Sequence, residues 1–301
     1  MKKILTTTLM ITALVSCQKS DIPQSSAEVA FTSGIETRVS GTEWDAGDKI
    51  GVFMYGNAST TVYDKNSSNA LYTNTVEGES ANFTSGNPLL FPQDSEVDFI
   101  AYYPYTEDIK TYFEGSYVSL GATDQTTNEA LNSQDFMTAS ITGCSEGDTP
   151  VLSFTRQMSR IVITVDRKEN NADAALSDIV LSSLIVDANF TLVNGVKQPL
   201  TLGETVDDIA LFENESNIIE AIVLPQTASS AKLSLYADGE YLSASISTTF
   251  EAGKQYNYLV SIGGDKITFS TGEITDWDED IIDNGDLYLD DVVYSSVDDL
   301  N

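Results

Sequence analysis

The chain of 301 residues contains no histidine. That single absence removes Ser-His-Asp and Cys-His catalysis, histidine-ligated zinc and histidine-based pH switching together. Cysteine is almost as scarce, with only Cys17 and Cys144. Cys17 is committed to lipid, as argued below, so Cys144 has no partner for an internal disulfide and reads as a small, partly buried hydrophobe at a strand end. Basic residues are few: 15 Lys and Arg stand against 46 Asp and Glu, a formal net charge of −31. Such a surface repels nucleic acid and anionic headgroups alike, so no nucleic-acid partner is expected. The charge also keeps a β protein soluble and its strand edges apart. No segment sustains a helical period over three turns.

The start of the chain carries an export signal. Lys2 and Lys3 precede an apolar run over residues 4–15, which is too short for a membrane-spanning helix of ~20 residues. It closes in Leu14-Val15-Ser16-Cys17, the small-residue-then-cysteine pattern that lipoprotein signal peptidase accepts. Cys17 then becomes the first mature residue and the lipidation site, and the mature net charge becomes −33 because Lys2 and Lys3 leave. At ~0.8 kcal/mol per buried methylene, several acyl chains on one cysteine anchor stably. Residues 22–27 read as a tether.

From Ala27 the pattern alternates. Ala27, Val29, Phe31, Ser33 and Ile35 share one face, with Glu28, Ala30, Thr32, Gly34 and Glu36 opposite, the period of a half-buried strand. Thr37-Arg38 interrupts it. Trp44-Asp45-Ala46-Gly47-Asp48 then reads as a tight turn with Trp44 as its packing anchor. Short strand-like stretches punctuated by Gly, Asn, Ser and Pro continue to Trp277, which argues for sandwiches or barrels. The turn-rich Gly143-Cys144-Ser145-Glu146-Gly147-Asp148-Thr149-Pro150 is the expected domain boundary. Residues 278–301 hold nine acidic residues and no basic one, yet include Leu287, Leu289, Val292 and Tyr294. The apolar phase of this tail shifts across Asp290-Asp291. A solvated tail would not need these residues, so they suggest a strand awaiting a sheet.

Four stretches resemble the fimbrillin family, the Mfa-like and FimA-like lipoprotein precursors of type V pili in Gram-negative gut and oral bacteria. They are Thr37-Arg38 leading into Trp44-Asp45-Ala46-Gly47-Asp48-Lys49-Ile50-Gly51-Val52; Phe99-Ile100-Ala101-Tyr102-Tyr103-Pro104; Leu152-Ser153-Phe154-Thr155-Arg156-Gln157-Met158-Ser159-Arg160-Ile161; and Phe250-Glu251-Ala252-Gly253-Lys254-Gln255-Tyr256-Asn257-Tyr258. Ile274-Thr275-Asp276-Trp277 resembles the end of the second domain. The resemblance implies an all-β fold of two tandem transthyretin-like β-sandwich domains with a C-terminal extension. The chain then divides into a signal peptide (1–16), a lipidated leader with a removable strand (17–38), sandwiches at 39–146 and 147–277, and an acidic extension (278–301).

In that family a trypsin-like protease cuts the leader at an arginine, the first strand leaves, and a neighbour's C-terminal extension fills the groove. Arg38 is the matching residue, being the sole arginine between Cys17 and Arg156. Val29, Phe31 and Ile35 would mark the removable strand, and Leu287, Leu289, Val292 and Tyr294 the donor strand. Four such side chains at ~1.5–3 kcal/mol each contribute ~6–12 kcal/mol gross. One departure is Arg156, which stands where the family has His after Phe-Thr. The resemblance implies no enzyme activity and no cofactor. It implies other pilus subunits as partners, the outer membrane through the lipid, and a host or bacterial surface ligand.

Three rival readings compete. An acid glycosidase would need a paired set of carboxylates, and none stands out. A calcium loop at Asp276-Trp277-Asp278-Glu279-Asp280 fails because Ile281 and Leu287 occupy the glycine and bidentate-glutamate places. The third is a lipoprotein that binds glycan or host protein through its loops and never polymerises.

Overall fold

The computed structural model describes residues 27–35, 43–64, 66–112, 115–121, 123–168, 173–196, 200–263, 266–277 and 290–293. The first half runs β1 (Phe31–Ile35), β2 (Lys49–Gly56), β3 (Ala70–Asn74), β4 (Ser80–Thr84), β5 (Val97–Tyr103), β6 (Lys110–Tyr112), β7 (Gly115–Leu120) and β8 (Asp124–Gln125). A short helix α1 (Asn128–Asn132), capped where Thr127 Oγ1 accepts from Ala130 N, leads to β9 (Met137–Cys144) and β10 (Val151–Arg156). The second half runs β11 (Ser159–Arg167), β12 (Leu176–Ile185), β13 (Ala188–Leu192), β14 (Leu200–Leu202), β15 (Val206–Leu211), β16 (Ile218–Val223), β17 (Gln226–Ala237), β18 (Glu240–Phe250), β19 (Lys254–Gly263) and β20 (Lys266–Asp276), with β21 (Asp290–Val293) beyond. The protein is all-β apart from α1 among the described residues.

Seven strands close into a barrel in the order β1-β10-β9-β5-β2-β3-β4. Its interior holds Phe31, Trp44, Ile50, Val52, Tyr72, Phe83, Phe99 and Phe154. Strands β2 and β5 read as nearly continuous apolar runs because both of their faces are covered. Ile50, Val52 and Met54 of β2 point into the barrel, whereas Phe53 and Tyr55 enter a separate core with Phe136, Phe190 and Leu192. Gly51 is required between them, since a Cβ there would lie 2.1 Å from the ring of Tyr102.

Two five-stranded sheets, β16-β11-β19-β20-β21 and β18-β17-β12-β15-β8, enclose the second large core around Ile161, Ile163, Leu181, Leu233, Leu235 and Val260. A four-stranded sheet, β14-β13-β7-β6, joins the halves: β7 from the first pairs antiparallel with β13 from the second. Polar ties reinforce this junction. Tyr55 donates to Leu192 O at 2.6 Å, Asn194 Nδ2 donates to the buried Asp98 carboxylate at 2.8 Å, and the Gln125 amide pairs with both backbone groups of Ile222.

The expected boundary at 146/147 falls between β9 and β10. Residues 145–150 form the loop between β9 and β10, which pair within the barrel. The last barrel strand is β10, and after Gln157-Met158 the chain enters a different sheet with β11. A hairpin loop and a linker draw on the same turn residues, and only pairing partners separate them.

Candidate strand-exchange site

β1 is the strand that closes the barrel. It lies between β10, to which it is parallel (Thr32 opposite Val151 through Ile35 opposite Phe154), and β4, to which it is antiparallel (Phe31 opposite Phe83 through Gly34 opposite Ser80). Both registers run without a bulge, so side chains alternate strictly in and out. Val29, Phe31 and Ser33 are buried while Glu28 and Ala30 face solvent. The Phe31 ring meets Tyr72 and Phe99 edge-on, with centroids 5.0 and 5.1 Å away, the geometry that aromatic quadrupoles favour.

The held segment begins before β1. Val29 N donates to Leu89 O, Phe91 N donates to Ala27 O, and Glu28 bridges to Leu90. The Tyr72 hydroxyl completes the clasp by donating to Val29 O (3.1 Å) and accepting from Leu89 N (2.9 Å). Burial pushes its phenol up to about 12. Pairing with Leu89–Phe91 carries no signal in the sequence around Pro88-Leu89-Leu90-Phe91-Pro92, where prolines flank a run too short to show a period. A groove of about 870 Å³ lies beside this entry point, lined by Glu28, Met54, Ala70, Leu71, Leu89 and Leu90 among others.

Trp44, the first anchor after β1, is buried edge-on against Phe83, Tyr103 and Phe154. Beside it Asp48 accepts from the Tyr103 hydroxyl at 3.3 Å, and burial raises the Asp48 carboxyl above its ordinary range. At the far end of β10, Arg156 donates to both Asp135 carboxylate oxygens at 3.0 and 3.1 Å and lies 5.0 Å from the centre of the Trp277 ring. Arg156 therefore ties the barrel to the end of the second half. Cys144 is buried at the end of β9, and burial raises its thiol.

Of the expected site residues, Val29 and Phe31 sit inside the closing segment, and Ile35 ends β1 opposite Phe154 in backbone register. Cys17, Arg38, Leu287, Leu289 and Tyr294 lie outside the described residues. Val292 belongs to β21, whose backbone pairs with β20, Val293 opposite Phe269 and Asp290 opposite Thr271. Among the described residues no three His, Cys, Asp or Glu side chains are placed to hold a metal ion. No described helix is long and apolar enough to cross a membrane.

A family model described as fimbrillin-like matches residues 37–277, from just after β1 to Trp277. The chain belongs to the fimbrillin-like family. A candidate fimbrium subunit of Bacteroides uniformis, Fim1C, is 30% identical to this fimbrillin-like chain over 266 residues, covering 82% of the chain and 83% of the relative. A crystal structure of a candidate cell adhesion protein from Bacteroides uniformis superposes on the fimbrillin-like chain with a TM-score of 0.68 at 27% identity, covering 83% of this chain and 98% of that one. A second, from Bacteroides ovatus, gives 0.67 at 23% identity, covering 84% and 99%, and shares the fold.

Proposed function

We propose that this fimbrillin-like chain is a structural and adhesive subunit of a cell-surface fimbria, made as a lipoprotein precursor and polymerised by strand exchange. Cys17 carries the lipid that holds the precursor in the outer membrane. Cleavage after Arg38 releases residues 17–38, and the C-terminal extension of a neighbouring subunit takes the vacated place. One observation carries the reading: β1 closes the barrel, and it ends at Ile35, three residues before the sole arginine of the leader.

The physics of removal supports it. Taking β1 away leaves the backbone edges of β4 and β10 unpaired and opens the pocket of the Phe31 ring. Unpaired edges and an open core face are unstable alone, and an added strand repairs both. The contact is head to tail and does not close on itself, so it propagates as a filament. The partners are accordingly other pilus subunits, with a surface ligand at the fibre's exposed loops.

The test uses purified precursor and an arginine-specific protease. Cleavage after Arg38 with the tail intact is expected to give a ladder of polymers. Monomers alone after complete cleavage would overturn the reading.

A further inference from the structure

The chain carries a second copy of its own closing-strand pattern. Glu28-Val29-Ala30-Phe31-Thr32-Ser33 and Asp291-Val292-Val293-Tyr294-Ser295-Ser296 match position by position: acid, Val, small or branched apolar residue, aromatic, hydroxyl, Ser. We propose that the tail of a second copy enters the barrel in the direction of β1, with Val292 in the place of Val29, Tyr294 in that of Phe31 and Ser296 in that of Ser33, while Leu287 and Leu289 fill the groove lined by Leu71 and Leu90. This rests on the strand-exchange reading and adds a register and a second contact to it.

Two independent observations meet here. The first is the slot: β1 is paired without a bulge from Phe31 to Ile35, and the inward positions of the closing segment are Val29, just before β1, then Phe31 and Ser33. A straight slot accepts one face of a straight strand. The face Val292, Tyr294, Ser296 reproduces that order, whereas Leu287 and Leu289 placed at Val29 and Phe31 would put the Asp291 carboxylate at the buried Ser33 position. Taking a carboxylate out of water into a position only 3% exposed costs desolvation that a serine hydroxyl does not.

The second observation is the groove. In the proposed register Asp291 takes the place of Glu28, so Leu289 and Leu287 lie two and four residues upstream on the same face. Glu28 lines the groove, together with Met54, Ala70, Leu71, Leu89 and Leu90. Leu71 and Leu90 are 37% and 46% exposed and line the same groove, so they offer it apolar surface. The shift of apolar phase across Asp290-Asp291 is then explained: the leucines before it face the outer groove, and the Val and Tyr after it face the barrel interior. In the single chain, Val292 and Val293 lie in β21 on the edge of β20. The same residues thus have two alternative strand partners, and donation requires leaving the first.

Cross-strand cysteines test the register in the full-length chain. Asn82 stands opposite Thr32 on the β4 edge, so the register sets Ser295 opposite Asn82 of the next subunit. The competing register, with Leu287 at Val29, sets Asp290 there. After arginine-specific cleavage and oxidation, Asn82→Cys with Ser295→Cys is expected to give a reductant-sensitive covalent ladder, and Asn82→Cys with Asp290→Cys none. A ladder from the second pair, or from neither pair while native gels still show polymer, overturns the register and leaves strand exchange standing. Absence of any polymer from the unsubstituted cleaved chain overturns strand exchange and the register with it. For the groove, the exposed pair Leu71→Ser and Leu90→Ser is expected to leave precursor melting unchanged and to lower the temperature at which polymer dissociates. An unchanged dissociation temperature overturns the groove contact.

Discussion

Replacing Phe31 by Ala in the precursor measures how firmly β1 holds the barrel shut. The ring is 1% exposed and meets Tyr72 and Phe99 edge-on. Phe→Ala at a buried site costs ~3–5 kcal/mol, the upper end applying where the surroundings cannot collapse. Here the backbone on both sides is fixed by β4 and β10, so a loss of ~4 kcal/mol is expected. Thr32→Ala, on the outer face of the same strand, should change stability by less than ~0.5 kcal/mol. Guanidinium unfolding reports the difference, with Trp44 fluorescence as the barrel's probe in a Trp277→Phe background. With a slope of ~4 kcal/mol/M, the Phe31→Ala midpoint falls by ~1 M relative to Thr32→Ala. Equal midpoints would show that β1 adds little to the barrel, and the case for its removal as a trigger would fail.

Two further outcomes follow from the same contacts. The Tyr72 and Tyr55 phenols are raised by burial to about 12, against ~10 in the unfolded chain. Between those values the native state keeps protons that the unfolded chain has lost, so stability is present below pH ~10 and falls through that window, by ~2–3 kcal/mol per phenol. Melting temperature measured from pH 9.5 to 12 should fall less steeply in Tyr72→Phe than in the native chain. Arg156→Ala leaves the Asp135 carboxylate without its main partner in a mostly buried site and removes the cation from Trp277. A loss of ~2–3 kcal/mol is expected, under the fully buried range because Asp135 keeps some solvent, and Asp135→Asn in the same chain should recover part of it in chemical melts.

Much of the fold was legible because burial on one face writes a period into the sequence. Val29, Phe31 and Ser33 alternate with exposed residues, and Trp44 anchors its turn, as the local pattern indicates. β11 likewise carries the apolar run Ile161-Val162-Ile163, and β19 places Tyr256, Tyr258, Val260 and Ile262 on one buried face. What the sequence hid is pairing. Nothing local says that β1 lies parallel to β10, or that β7 leaves the barrel to pair with β13. β15 carries little local signal because Asp207 and Asp208 sit on its exposed start, and β8 because two residues carry no period. The turn formers of residues 145–150 serve the loop between β9 and β10, and composition alone does not distinguish such a loop from a linker. At the site, the inward face was readable, whereas the Tyr72 hydroxyl clasp and the Leu89–Phe91 pairing depend on chain segments about 40 and 60 residues away.

The N-terminal residue of subunits recovered from assembled fibres tests the central claim most directly. If β1 is the strand given up on assembly, sequencing and intact mass should show a chain that starts at Val39 and retains the tail through Asn301. Fibres whose subunits still begin at a lipidated Cys17, with residues 27–35 in place, would contradict it.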